Sequence, residues 1–235
     1  MFNPQPRIQT LELGGRPVCH VVDDVLREPS KWVEFAAAHA GRFEGGGHNA
    51  YPGVELRLPE FATAQLDAWF GQHLRSLFGA RRTLERYSRL ALVTQAPDTL
   101  APRQWLCHVD RLDTQPGQCI VACVLYLFHD AGLGGTGFYR PRHPPARIAQ
   151  LVQDSASMSP EVFAATYGVQ AGYMTDGNAW FEKLLTVPAR FNRLVFYSGG
   201  IFHAGDILAP ERLSADPRQG RLTLNGFFTC RRNLA

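Results

Sequence analysis

The period of the apolar pattern changes at Leu84, and that change limits the chain to an architecture with helices first and sheet afterwards. Ahead of it, Phe61, Leu66, Trp69, Phe70, Leu74 and Leu77-Phe78 recur at steps of three to five, and Gly79 closes the run. This predicts a helix over 60–79. A shorter helix is expected earlier, with Ser30 as N-cap, Glu34 in its first turn, and Trp32, Val33, Phe35, Ala36 and Ala37 on its apolar side. Strands are expected at 8–13 and 20–22. Gly45-Gly46-Gly47 opens a loop through Tyr51-Pro52-Gly53. Beyond Leu84, six segments are short, rich in β-branched or aromatic residues, and bounded by Gly, Pro, Asn or Asp: 87–93, 104–110, 119–128, 180–188, 193–198 and 221–228. Strands joined by short turns in this way predict a barrel or sandwich. Residues 141–178 interrupt the series with a proline-rich start and a helix near 160–167. An insertion of that length is expected to act as a lid. The class is α+β, mainly β. A single domain spans 1–235, with a supporting part at 1–83 and a core at 84–230.

Composition removes several function classes. No apolar run reaches the roughly 18 residues that span a bilayer, so no membrane partner is expected. The 24 basic and 21 acidic residues leave a net charge of +3, too mild for a nucleic-acid surface. The arginine excess at Arg81, Arg82, Arg86 and Arg89 reads as a solvated face. Cys19, Cys107, Cys119, Cys123 and Cys230 contain no CxxC pair and read as buried free thiols. With no basic-then-apolar leader at the N-terminus, a reducing cytoplasm is the expected compartment.

Chemistry concentrates at His108-Val109-Asp110. Residues two apart on a strand leave the same face, so His108 and Asp110 can chelate one metal. A second histidine must come from elsewhere. His203, which follows an apolar strand and the Gly199-Gly200 turn, is the best candidate. Two histidines and one carboxylate on one face leave three metal positions open, as non-haem Fe(II) oxygenases require. A polar face then appears where an apolar one is expected: Arg221, Thr223 and Asn225 share one side of a strand, and Leu222 and Leu224 the other. Arginine's planar fork matches a carboxylate bidentately. Tyr126 can place a phenol beside it.

These motifs in this order resemble the 2-oxoglutarate/Fe(II)-dependent dioxygenases, in particular the prolyl-4-hydroxylase-like branch and an uncharacterised bacterial group within it. The matching residues are His108-Val109-Asp110, Tyr126-Leu127, Gly134-Gly135-Thr136, His203 and Arg221-Leu222-Thr223, over about 60% of the chain. The resemblance implies a double-stranded β-helix, a jelly-roll or cupin-like barrel, with N-terminal supporting helices. It implies that His108, Asp110 and His203 are the catalytic metal ligands and hold Fe(II). It further implies that Arg221, with Thr223 and Tyr126, binds the co-substrate 2-oxoglutarate, and that O2 is the oxidant. Tyr-Leu is usually followed by Asn in the family; here Phe128 follows. The carboxylate of Asp110 implies hydroxylation rather than halogenation, since halogenating relatives lose it.

The expected function is oxidation, by hydroxylation, of a small molecule, amino acid or peptide-derived substrate, with release of succinate and CO2. Tyr139 and Arg140, just after the Gly-Gly-Thr motif, are candidate substrate residues, and Tyr51-Pro52-Gly53 is a second loop that can reach the mouth. Trp105 and Trp180 are expected in the core. The expected partner is a small-molecule or peptide substrate, and a homodimer stays open. The alternative is a non-catalytic, cupin-like metal-containing binding or sensor module. The Arg221/Thr223 pair separates the two readings, because a purely structural metal has no use for it.

Overall fold

The computed structural model describes residues 1–45, 50–110 and 114–233. The loop expected from Gly45 to Tyr51 falls partly at residues 46–49, outside the described residues. The chain begins with strands β1 (Ile8–Leu13) and β2 (Arg16–Val22), then helix α1 (Pro29–Ala38). A two-residue strand β3 (Glu44–Gly45) and β4 (Gly53–Arg57) precede helix α2 (Glu60–His73). There follow β5 (Ala80–Val93), β6 (Gln118–Tyr126), β7 (Gly135–Pro141), α3 (Pro145–Ser157) and α4 (Pro160–Tyr167). The chain finishes with β8 (Phe181–Val187), β9 (Leu194–Ser198), β10 (Phe202–Asp206) and β11 (Arg221–Arg232). The fold is thus mostly antiparallel sheet with few helices. No helix among the described residues is long and apolar enough to cross a membrane.

Two sheets form. The larger has the order β1-β2-β9-β6-β11-β5-β4-β3, the smaller β10-β7-β8. Strand β6 shows why they stack. Its alternate residues Cys119, Val121, Cys123 and Leu125 face the helices, where Leu66, Trp69 and Phe70 of α2 cover them. Ala122, Val124 and Tyr126 face the other way and meet Phe138 of β7 and Val187 of β8. A strand covered on both sides reads as a continuous apolar run, and 119–128 does. A third cluster lies outside the small sheet, where Leu151 of α3 and Phe163 of α4 pack on Trp105, Tyr139, Trp180 and Phe181. All five cysteines are buried and free.

Several expectations are corrected. Helix α1 starts at Pro29, with Glu28 before it and no side-chain cap; proline's fixed φ suits the first helical position, so Ser30 falls inside the first turn. The same preference starts α3 at Pro145, a helix not expected from the proline-rich start of the insertion. Residues 104–110 are not a strand. Pro102–Gln104 form one 3-10 turn, Gln104 Oε1 accepts from Ala101 N at 2.7 Å, and Cys107 N is spent on Met174 Sδ at 3.2 Å. A local turn and a bond to a distant methionine thus take the place of the ladder. Strand β5 begins seven residues earlier than expected, and α2 ends at His73, where a 3-10 turn, Arg75–Phe78, carries the chain to Gly79. Gly134 and Gly135 stand where the small sheet crosses other backbone: a Cβ at Gly134 (φ +77°) would lie 1.7 Å from Asp206 O, and one at Gly135 would lie 1.9 Å from Val187 O.

Phe70 joins α2 to the large sheet, stacked 5.1 Å from Phe196 and 4.6 Å from Phe228, with no solvent exposure. Phe70→Ala should cost about 3–5 kcal/mol, read as a lowered midpoint in urea unfolding with an unchanged slope.

Candidate metal centre

His108 and His203 lie on segments 95 residues apart in sequence, and their backbones exchange two hydrogen bonds. His108 N donates to His203 O at 2.9 Å and His203 N to His108 O at 2.8 Å. Two residues on, Asp110 N donates to Gly199 O at 2.8 Å, in the turn between β9 and β10. These bonds do the work that a strand at 104–110 was expected to do. They bring the side chains together: one ligand atom from each of His108, Asp110 and His203 lies within 4.8 Å of the others. His203 Nε2 is 3.3 Å from Asp110 Oδ2, and His108 Nε2 is 3.8 Å from Asp110 Oδ1. No other such trio of His, Cys, Asp or Glu assembles among the described residues.

Protonation fits a cation at this point. Burial holds the His203 imidazole down, to about 4. The same cause, with the neighbouring His203, lowers His108 to about 4. The ring of His108 is 59% exposed to the cavity in front of it, and water there softens its depression, so His203, only 6% exposed, carries the stronger case. Burial raises Asp110, and its Oδ2 accepts no hydrogen bond among the described residues. Two neutral imidazoles and a buried carboxylate oxygen without a partner form a set that a divalent transition metal completes. His203 Nδ1 lies 3.0 Å from Ile201 O. The proton of the neutral ring sits there and donates to the carbonyl, leaving the Nε2 lone pair toward Asp110.

A cavity of about 580 Å³ opens in front of the trio. His108 and Asp110 line it, as do Tyr51, Arg89, Tyr173 and Arg221. Arg221 is buried. Its Nε donates to Leu133 O at 2.8 Å, its Nη2 to Gly135 O at 2.9 Å, and its Cζ lies 5.6 Å from the centre of the Phe128 ring. Thr223 and Tyr126 do not line the cavity. Thr223 Oγ1 donates to Ala91 O at 3.4 Å, and the Tyr126 hydroxyl is 2.7 Å from Thr136 Oγ1. The charge of Arg221 reaches both Tyr126 and Tyr51. Tyr139 and Arg140 lie elsewhere. Tyr139 is buried in the outer cluster and its hydroxyl donates to Met174 O at 3.0 Å, while exposed Arg140 pairs with Glu182 at 2.7 Å. The end of the insertion does reach the cavity, through Tyr173 and Met174.

Sequence reasoning missed Arg89, which was grouped with the solvated arginines. It lines the cavity and forms an ion pair at 2.7 Å with Glu55, itself 8% exposed. Parity was the available signal: Tyr87, Arg89, Ala91 and Val93 share a face of β5, and Val93 is the register partner of Arg221.

A histidine depressed by burial binds its proton less readily folded than unfolded, so stability is complete above 6.5 and is lost as pH falls toward about 4. Metal-free protein should therefore lose on the order of 3 kcal/mol across that window. His203→Gln should flatten the change, measured by urea unfolding at a series of pH values.

Among solved structures, the chain is similar to a Pseudomonas putida prolyl-4-hydroxylase, with 15% identity, 87% of this chain and 86% of that one covered, and a TM-score of 0.41. It is similar to HygX from Streptomyces hygroscopicus with nickel and 2-oxoglutarate bound, with 14% identity, 89% and 82% covered, and a TM-score of 0.44. It is also similar to EvdO2 from Micromonospora carbonacea var. aurantiaca complexed with 2-oxoglutarate, with 12% identity, 98% and 96% covered, and a TM-score of 0.47. No curated protein matches. Residues 4–228 match the family described as "Family of unknown function (DUF6445)". The chain belongs to that family.

Proposed function

We propose that this chain is an Fe(II)- and 2-oxoglutarate-dependent oxygenase that hydroxylates a small molecule, amino acid or peptide-derived substrate. The observation that carries the reading is a two-histidine, one-carboxylate cluster that shares a cavity with a buried arginine. The topology supports a double-stranded β-helix. The chain steps between the sheets: β5 in the large one, the His108 rung on β10 of the small one, β6, then β7 and β8, then β9, β10 and β11.

His108, Asp110 and His203 would hold Fe(II). When bound, the metal supplies oxygen activation coupled to oxidative decarboxylation of 2-oxoglutarate to succinate and CO2. The protein's own work is positioning. Ile201 O holds His203 in the tautomer that presents Nε2. The carbonyls of Leu133 and Gly135 hold one edge of the Arg221 fork, leaving Nη1 for the distal carboxylate of the keto acid. Phe128, where the family more often has Asn, lies under that guanidinium. Thr223 and Tyr126 do not line the cavity, and their hydroxyls are bonded to Ala91 O and Thr136 Oγ1, so the co-substrate contact is assigned to Arg221 alone.

Two measurements test the reading. With Fe(II), ascorbate and 2-oxoglutarate, the protein should release succinate slowly without further substrate, and Asp110→Ala or His203→Ala should abolish the release. Arg221→Met should weaken 2-oxoglutarate binding about 30-fold or more, the size of a lost charge-assisted contact. Metal binding with no 2-oxoglutarate affinity by calorimetry would instead support a binding or sensor module.

A further inference from the structure

Arg89 and Arg221 face one cavity but are bonded differently. Arg221 spends its fork on backbone carbonyls. Arg89 has one ion pair, to Glu55, through Nη1 at 2.7 Å, and its buried Nε meets no acceptor among the described residues. Its plane is nevertheless fixed. The Arg89 Cζ lies 5.3 Å from the centre of the Tyr51 ring and 5.2 Å from that of Phe227. A guanidinium clamped between two rings and drawn out of water loses little entropy on taking a ligand.

Arg89 and Arg221 stand at different register positions. Arg221 is opposite Val93 across the β5–β11 pair and Arg89 opposite Asn225, which separates them by about 13 Å along the strands. They therefore enter the cavity from different points along the strands. His108 and Asp110 line the same cavity as Arg89. Leu106, Val109, Ile207 and Phe227 add apolar lining to the same cavity.

We propose that Arg89 binds a carboxylate of the primary substrate, so that the substrate is a small carboxylic acid with an apolar body. The inference rests on the oxygenase reading, in which Arg221 serves the co-substrate. Glu55 is the resident counter-ion: it keeps the buried guanidinium paired when the substrate is away and competes with the substrate when it arrives. With one carboxylate already present, a single guanidinium suits a monoanion better than a dianionic phosphate.

The test uses Ni(II)-loaded full-length protein, with and without 2-oxoglutarate, and calorimetry against four acids and their primary amides: acetate, butanoate, phenylacetate and N-acetyl-L-alanine. At least one acid should bind tenfold or more tightly than its amide. Arg89→Gln should remove that preference, and Glu55→Gln should increase acid affinity several-fold without changing amide affinity. A mere packing role for Arg89 predicts no such opposite effects. Failure of every acid to bind, equal binding of acid and amide, or a preference that survives Arg89→Gln overturns the proposal. Should Arg89→Gln not fold, Glu55→Gln decides, and unchanged or weaker acid binding overturns it. Loss of 2-oxoglutarate binding in wild-type protein would sink the oxygenase reading separately, because the acid–amide comparison is also run without it.

Discussion

Two backbone hydrogen bonds, His108 N to His203 O and back, join parts of the chain that no continuous ladder connects. An antiparallel rung fixes the spacing of the residues it pairs, so both imidazoles start from a common baseline. Asp110 is then set by one further bond, to Gly199 O. The turn at Gly199-Gly200 has to pass close by: a Cβ on Gly199 would sit 2.7 Å from the Ile120 side chain and 3.0 Å from Asp110 O. The cluster therefore depends on short loops held at their ends by the two sheets. Rigid scaffolds with functional loops at their rims commonly divide labour in this way.

What could be read from the sequence followed from how much each segment depends on its own residues. The run at 119–128 announces β6 because both of its faces are buried, and the alternation in 221–225 announces β11, with Arg221, Thr223 and Asn225 inward and Leu222 and Leu224 toward the helices. Helix α2 was legible from its spacing. Segment 104–110 was misread because its fate is decided by bonds to distant partners, Met174 and Gly199. Strands β7 and β10 were not expected at all. They are rich in Gly, which has weak strand preference, and exist because β8 and the His108 rung pair with them.

The same contrast holds at the site. The three metal-ligand candidates stood out because their types and order carry chemical meaning. Arg89 did not, because arginine on a strand is ordinarily a surface residue and four of its kind occur within nine positions. Its register against β11, its ion pair with Glu55 and the rings of Tyr51 and Phe227 distinguish it from Arg86, which pairs outward with Glu60 and Asp67. Tyr139 shows the reverse case. Its position after a motif suggested a ligand contact, whereas a local bulge between Phe138 and Tyr139 relative to β8 accompanies its turn into the outer cluster.

The buried thiols have a consequence for chemistry in air. Desolvation pushes Cys19 up to about 12 and Cys230 up to about 11, and raises Cys107 and Cys123 as well. Sulfur reacts with peroxide and alkylating agents as the anion, and these side chains stay protonated at any physiological acidity. Cys107 adjoins His108 in the chain, yet is 1% exposed and turned toward the aromatic cluster with Trp105. The thiol next to His108 in sequence is thereby turned away from the trio, and the sulfur that lines the cavity is the Met174 thioether instead.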